Sequence, residues 1–218
     1  MSSVLVVLLI LVLSFVPVTL AFFWIRRRGI VFPFLVTLLF LAAGVATLVM
    51  AAVIQSLITE ALPEGAASFA AQFFDVFVRV ALTEEGARFL VFFVLFAGIR
   101  VFSSQSILNE GFSAGGGLLA GLSFAALETA AHAASEAGVV LVRALSAAPL
   151  HGACGIRCAQ SALSAEKTPL IAAGRLISAI LLHACYNFML PRGGIMAALA
   201  IFLALSSLVS SARAVTNE

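Results

Sequence analysis

Apolar residues run through this chain in blocks long enough to cross a bilayer, and short polar clusters separate the blocks. At ~1.5 Å of rise per residue, about 20 apolar residues cover the ~30 Å of hydrocarbon in a membrane. The first block is residues 4–23, with no basic residue before it and Arg26, Arg27 and Arg28 after it. These flanks predict an uncleaved anchor with its N-terminus outside, rather than a signal peptide. A second span is predicted over 30–54, with Pro33 near its start, where a missing amide proton matters least. The stretch 69–102 is too long for one crossing. Its first part interleaves Phe69, Phe73, Phe74 and Phe77 with Gln72, Asp75 and Arg79, which predicts an interfacial or tilted amphipathic helix. A crossing over 80–99 follows. Further spans are predicted over 112–134, 139–163, 170–190 and 195–208, divided at Gly138, at Glu166-Lys167-Thr168-Pro169 and at Pro191-Arg192-Gly193-Gly194. Gly117 and Gly121, four apart, suit close helix contact.

The pattern predicts an all-α fold, a polytopic transmembrane bundle of about 7–8 helices, with seven crossings and one further amphipathic helix. One integral membrane domain is expected over 1–218: two N-terminal spans in 1–65, a core carrying the candidate chemistry in 69–190, and a last span with a short tail in 195–218. Composition agrees. Of 218 residues 63% are hydrophobic and 10% charged, and the mean hydropathy is +1.19. So few polar groups cannot cover a soluble domain of this size, so membrane lipids are the expected partner and solvent. A net charge of +2, without a basic stripe beyond Arg26 to Arg28, excludes a nucleic-acid binder. With the N-terminus outside, Arg26, Arg27, Arg28, Arg100, Lys167 and Arg213 fall inside, while Arg192, Glu60, Glu64 and Glu136 fall outside, a positive-inside arrangement. Cys154, Cys158 and Cys185 show no C-x-x-C spacing and read as buried small hydrophobes, with a metal role as the lesser alternative for Cys154 and Cys158, one helical turn apart beside His151.

Against this background the polar residues inside the spans stand out: Glu84, Glu85, Arg88, Glu128, His132, Arg143, His151, Arg157, Arg175, His183 and Asn187. A charge at the centre of a spanning helix costs about 2.5–3.5 kcal/mol even on a lenient scale, so such groups pair, lose their charge or line a wet cavity. Counted from the inner end of each span, Glu84, Glu128, His151 and His183 lie at roughly the same depth, about 21–26 Å. Four helices thus place a polar group at one level, in the outer part of the membrane. Glu84 and Arg88 are four apart and can pair on one face; Glu128 with His132 and His183 with Asn187 repeat that spacing. Glu84 and Glu85 point ~100° apart, so one can face a cavity while the other braces a neighbour. Two adjacent carboxylates in a low dielectric do not both ionise, which suits a group that accepts and returns a proton. His151 and His183 add a second proton carrier or an oxyanion donor. Arg157 and Arg175 sit near the inner ends of their spans, where snorkelling is expected.

Four motifs in order carry a resemblance: Thr83-Glu84-Glu85-Gly-Ala-Arg88; Gly121-Leu-Ser-Phe124-Ala-Ala-Leu-Glu128; Arg143 through Pro149-Leu150-His151-Gly152; and Leu182-His183-Ala-Cys-Tyr186-Asn187-Phe188. Over about residues 81–190 the chain resembles the PrsW family of intramembrane proteases, which is related to the CPBP proteins and the CAAX prenyl endopeptidases. The resemblance implies that Glu84 and Glu85 match the essential glutamate pair, one of them acting as base on the hydrolytic water. His151 assists, His183 and Asn187 stabilise the oxyanion, Arg88 holds the glutamates in place, and Glu128 belongs to the site with a less defined role. It implies a single-span membrane protein substrate, such as an anti-sigma factor, cut in the bacterial cytoplasmic membrane on its outer side. No H-E-x-x-H is present, yet a Glu/His set of this kind can hold a divalent metal such as zinc, so glutamate-type and metal-dependent hydrolysis both stand. From other classes, a proton-coupled transporter or channel also needs buried Glu, His and Arg, though no inverted repeat is visible, and a non-catalytic membrane scaffold would keep the fold alone.

Overall fold

The computed structural model describes residues 3–61, 68–102, 108–133 and 137–216, and among these every regular element is helical. The chain begins with α1 (Ser3–Ser14) and α2 (Val16–Arg27), which follow one another with a break at Phe15. Pro17, in the first turn of α2, has no amide proton to give back to α1, so the expected span over 4–23 is two helices and runs on to Arg27. Next come α3 (Phe34–Ala61) and α4 (Phe69–Asp75), the latter capped by Ser68, whose hydroxyl accepts from the Ala71 amide at 3.2 Å. A wide π-helical segment (Val76–Leu82) carries α4 directly into α5 (Thr83–Phe102). The amphipathic helix expected over 69–79 is therefore continuous with the crossing that follows it. Where the wide turn tightens again, the Thr83 hydroxyl donates to the carbonyls of Arg79 (2.6 Å) and Val80 (2.9 Å), taking up freed acceptors.

The remaining helices are α6 (Glu110–Ala133), α7 (Ala137–Leu145), α8 (Ala147–Ser164), α9 (Pro169–Met189) and α10 (Gly194–Ala212). The span expected over 139–163 is broken at Ser146, which leaves helical geometry (φ −125°, ψ −65°) and separates α7 from α8. Among the described residues six tracts are long and apolar enough to cross a membrane: Leu5–Arg27, Phe34–Ile58, Glu110–His132, Gly138–Ser164, Pro169–Arg192 and Gly194–Ala212. The seventh expected crossing is α5, 20 residues and thus ~30 Å long, whose Glu84, Glu85, Arg88 and Arg100 place it outside that apolar set. The chain is an all-α, multi-pass membrane protein.

Helix α8 is the axis of the bundle. Nearly every side chain from Ala147 to Ala162 is buried, and α5, α6, α9 and α10 pack around it. The outer helices α1, α2, α3 and α10 turn rows of Leu, Val and Phe outward, as lipid requires. The α6–α8 crossing is the tightest. A Cβ at Gly117 would collide with the Gly155 carbonyl, and one at Gly121 with the His151 carbonyl, so only glycine allows the two backbones to touch. That contact seats Glu128, two turns beyond Gly121, beside His151.

Candidate active site

The charged residues of α5, α6, α8 and α9 meet inside the bundle. Glu85 has no exposed surface and Arg88 almost none. The Arg88 guanidinium donates to Glu85 Oε2 and stacks 4.8 Å over the Phe124 ring of α6. The expected Glu84–Arg88 pair is thus replaced by a Glu85–Arg88 pair at i,i+3. The reason lies in rotation about α5: Glu85 and Arg88 face α8, while Glu84 turns toward α3. Glu85 accepts two further bonds, from His183 Nδ1 at 2.7 Å and from the Cys158 thiol at 3.3 Å. Both of its oxygens are engaged.

Glu84 is different. Its Oε1 accepts from Gln55 Nε2 of α3 at 3.2 Å, but Oε2 is buried with no hydrogen-bond partner. That oxygen lies 3.8 Å from His183 Nε2. The ring of His151 stands edge-on to that of His183, with centroids 5.1 Å apart. On its far side His151 Nε2 meets Glu128 Oε2 at 2.9 Å, and Arg143 holds the same oxygen at 2.6 Å while its Nε donates to Thr129 Oγ1 at 3.1 Å. The Arg88 Nη2 lies 3.4 Å from His151 Nδ1.

Each imidazole therefore has a carboxylate on one nitrogen: Glu85 on Nδ1 of His183 and Glu128 on Nε2 of His151. A carboxylate accepts, so these nitrogens carry the protons, and the opposite nitrogens keep their lone pairs. One ligand atom from each of Glu84, His151 and His183 falls within 4.8 Å of the others, while the Arg88 guanidinium faces His151 Nδ1 at 3.4 Å. One carboxylate and two imidazoles, each backed by its own carboxylate, make a donor set that fits a zinc-class ion.

Glu84, Glu128, His151 and His183 come together from four helices, with Glu85 against His183 and Arg88 against His151. Asn187 is half-buried one turn beyond His183, with no hydrogen-bond partner among the described residues. His132 stays outside; it is exposed and its Nδ1 contacts the Glu128 backbone carbonyl at 2.9 Å. Arg157 and Arg175 bond to neighbouring helices rather than reaching freely outward: Arg157 to Ser211 Oγ and the Ser178 carbonyl, Arg175 to the Gln160 carbonyl, Ser164 Oγ and Glu110. A polar cavity of about 340 Å³, lined among others by Arg100, Glu110 and Lys167, lies at the other end of α5 and is separate from this centre.

Three neighbours were not among the candidate site residues, although Phe124 stands in the second motif and Cys158 reads from sequence as a buried small hydrophobe. Phe124 precedes Glu128 by four and Cys158 follows His151 by seven, so helical spacing could have placed both on the site's face. Gln55 gave no such signal, being a lone amide just past the predicted end of a span.

Comparison with curated proteins and with solved structures gives no match. A family model described as "PrsW family intramembrane metalloprotease" matches residues 32–211, which takes in α3 to α10 and every residue of the buried centre. The chain belongs to the PrsW family of intramembrane proteases.

Proposed function

We propose that this protease hydrolyses a peptide bond of a membrane-anchored, single-span protein, such as an anti-sigma factor, with Glu84, His151 and His183 as its reacting centre. We place it in the cytoplasmic membrane of a bacterium, N-terminus outside, with the centre toward the outer face. One observation carries the reading: a buried carboxylate oxygen without a partner faces two imidazoles whose outer nitrogens are already held by carboxylates. Family membership favours hydrolysis over proton-coupled transport or a silent scaffold.

Glu84, His151 and His183 would hold the metal. A zinc-class ion would supply Lewis acidity there, enough to polarise a carbonyl and to acidify a water to a pKa of about 7. Glu84 is the reacting glutamate of the pair, because Glu85 has no oxygen to spare. Glu85 acts as a positioning residue that orients His183, and Glu128 does the same for His151, with Arg143 keeping Glu128 in place. Arg88 neutralises Glu85 and locks it against α8. The Asn187 amide, open and one turn from His183, donates to the oxyanion as the carbonyl becomes tetrahedral.

A second reading has its own support. The permanent charge of Arg88 lies 3.4 Å from His151 Nδ1, which disfavours a cation at that nitrogen. In that reading Glu84 itself takes the proton of the attacking water. Chelation separates the two. Cleavage of a membrane-embedded peptide that stops on dialysis against a chelator and returns with Zn²⁺ supports the metal; cleavage indifferent to chelator supports the glutamate.

A further inference from the structure

We infer that Gln55, on α3 and outside the four motifs, is a positioning residue that aims Glu84 at the two histidines. The inference rests on the reading of Glu84, His151 and His183 as a metal-holding centre. Gln55 is half-buried, and its Nε2 lies 3.2 Å from both Thr83 Oγ1 and Glu84 Oε1. Both partners require a donor. The Thr83 hydroxyl already gives its proton to the Arg79 and Val80 carbonyls, so it offers Gln55 a lone pair, and a carboxylate offers nothing else. The two hydrogens of one NH₂ group therefore satisfy both contacts, and the orientation of the Gln55 amide is fixed.

The consequence falls on Glu84. It lies at the start of α5, where the wide π-helical segment ends, and its side chain's one hydrogen bond among the described residues comes from Gln55. With Oε1 tied to α3, rotation about the last torsion is blocked and Oε2 is left facing His183 Nε2 at 3.8 Å. Among the described side chains of α3, Thr47 and Ser56 bond to carbonyls of their own helix, Ala43 and Val53. Gln55 thus links the α3–α5 packing to the aim of the reacting carboxylate. Outer partners of this kind typically set metal affinity by about 10- to 100-fold.

The test measures Zn²⁺ affinity of the purified full-length protein in detergent, by competition with a chromophoric chelator. Gln55→Leu removes the amide; Gln55→Glu keeps its shape and replaces the donors with a carboxylate, which serves if the leucine variant does not fold. Ser123→Ala is the packing control, since it deletes a different α3 bond, from Ser123 Oγ to the Leu41 carbonyl at 3.1 Å. Both Gln55 variants are expected to weaken Zn²⁺ binding about 10- to 100-fold, and Ser123→Ala to leave it within about twofold. If Glu84→Gln loses Zn²⁺ while both Gln55 variants bind as the unmodified protein does, or if Ser123→Ala weakens binding as much as they do, the role of Gln55 is overturned. An unmodified protein that binds no Zn²⁺ overturns the metal reading itself, and the inference with it.

Discussion

Replacing Arg88 by methionine separates the electrostatic account of this bundle from a purely hydrophobic one. Methionine fills most of the volume and remains apolar, so by packing alone Arg88→Met should be mild. The electrostatic expectation differs because Glu85 has no exposed surface and would lose its only guanidinium partner. Removing one member of a buried ion pair costs about 3–5 kcal/mol, largely because the other charge is left behind. The stacking of the guanidinium on Phe124, 4.8 Å away, is lost within the same figure. The reference is Arg100→Met. Arg100 pairs at 2.9 Å with Glu166, but that carboxylate is 58% exposed, which limits the loss to about 1 kcal/mol. The double variant Arg88→Met/Glu85→Gln carries no stranded charge, so it should recover at least half of the lost stability. It should not recover cleavage, because His183 then lacks its carboxylate. Unfolding in detergent, followed by circular dichroism against SDS concentration, reads the stability. The reasoning is refuted if Arg88→Met is no worse than Arg100→Met, or if the double variant is as unstable as the single.

Two further substitutions test the geometry from other sides. Gly121→Ala places a Cβ against the His151 carbonyl and forces α6 away from α8; a loss of about 1–3 kcal/mol and of most activity is expected, whereas Gly86→Ala, where a Cβ meets nothing within 4 Å, should be neutral or slightly stabilising. His132→Ala should leave peptide cleavage within about twofold of the unmodified rate, since that ring is exposed and bonded only to its own helix; a larger fall in a proteoliposome assay would bring His132 into the site.

How much of this could be read in the sequence follows from what lipid permits. A spanning helix must be apolar for about 20 residues, so 34–58 or 194–212 announce themselves. Charges in that medium must find one another, which is why a depth count on Glu84, Glu128, His151 and His183 located a shared level before any contact was known. The ~100° between Glu84 and Glu85 agrees with their meeting different neighbours, Gln55 for Glu84 and Arg88, Cys158 and His183 for Glu85. Which neighbour each would meet could not be foreseen, because it depends on the rotation of α5 against α8, and that is set by packing across helices. Arg88 was paired with Glu84 by spacing, yet i,i+3 and i,i+4 partners are equally near on an isolated helix. The π-helical segment before Thr83 and the break at Ser146 were invisible for a related reason: both interrupt runs whose apolar composition is unchanged. Gln55 was out of reach altogether, since its meaning comes from a helix that contacts it 29 positions later.

The central claim is that Glu84, held between Gln55 and the two histidines, is the reacting carboxylate. Its most direct test is the cleavage rate of a membrane-anchored substrate peptide in proteoliposomes by Glu84→Gln, measured on protein shown by circular dichroism to be folded. The account predicts a fall of at least about 10²-fold with fold and stability retained. Cleavage by Glu84→Gln at the unmodified rate would contradict it.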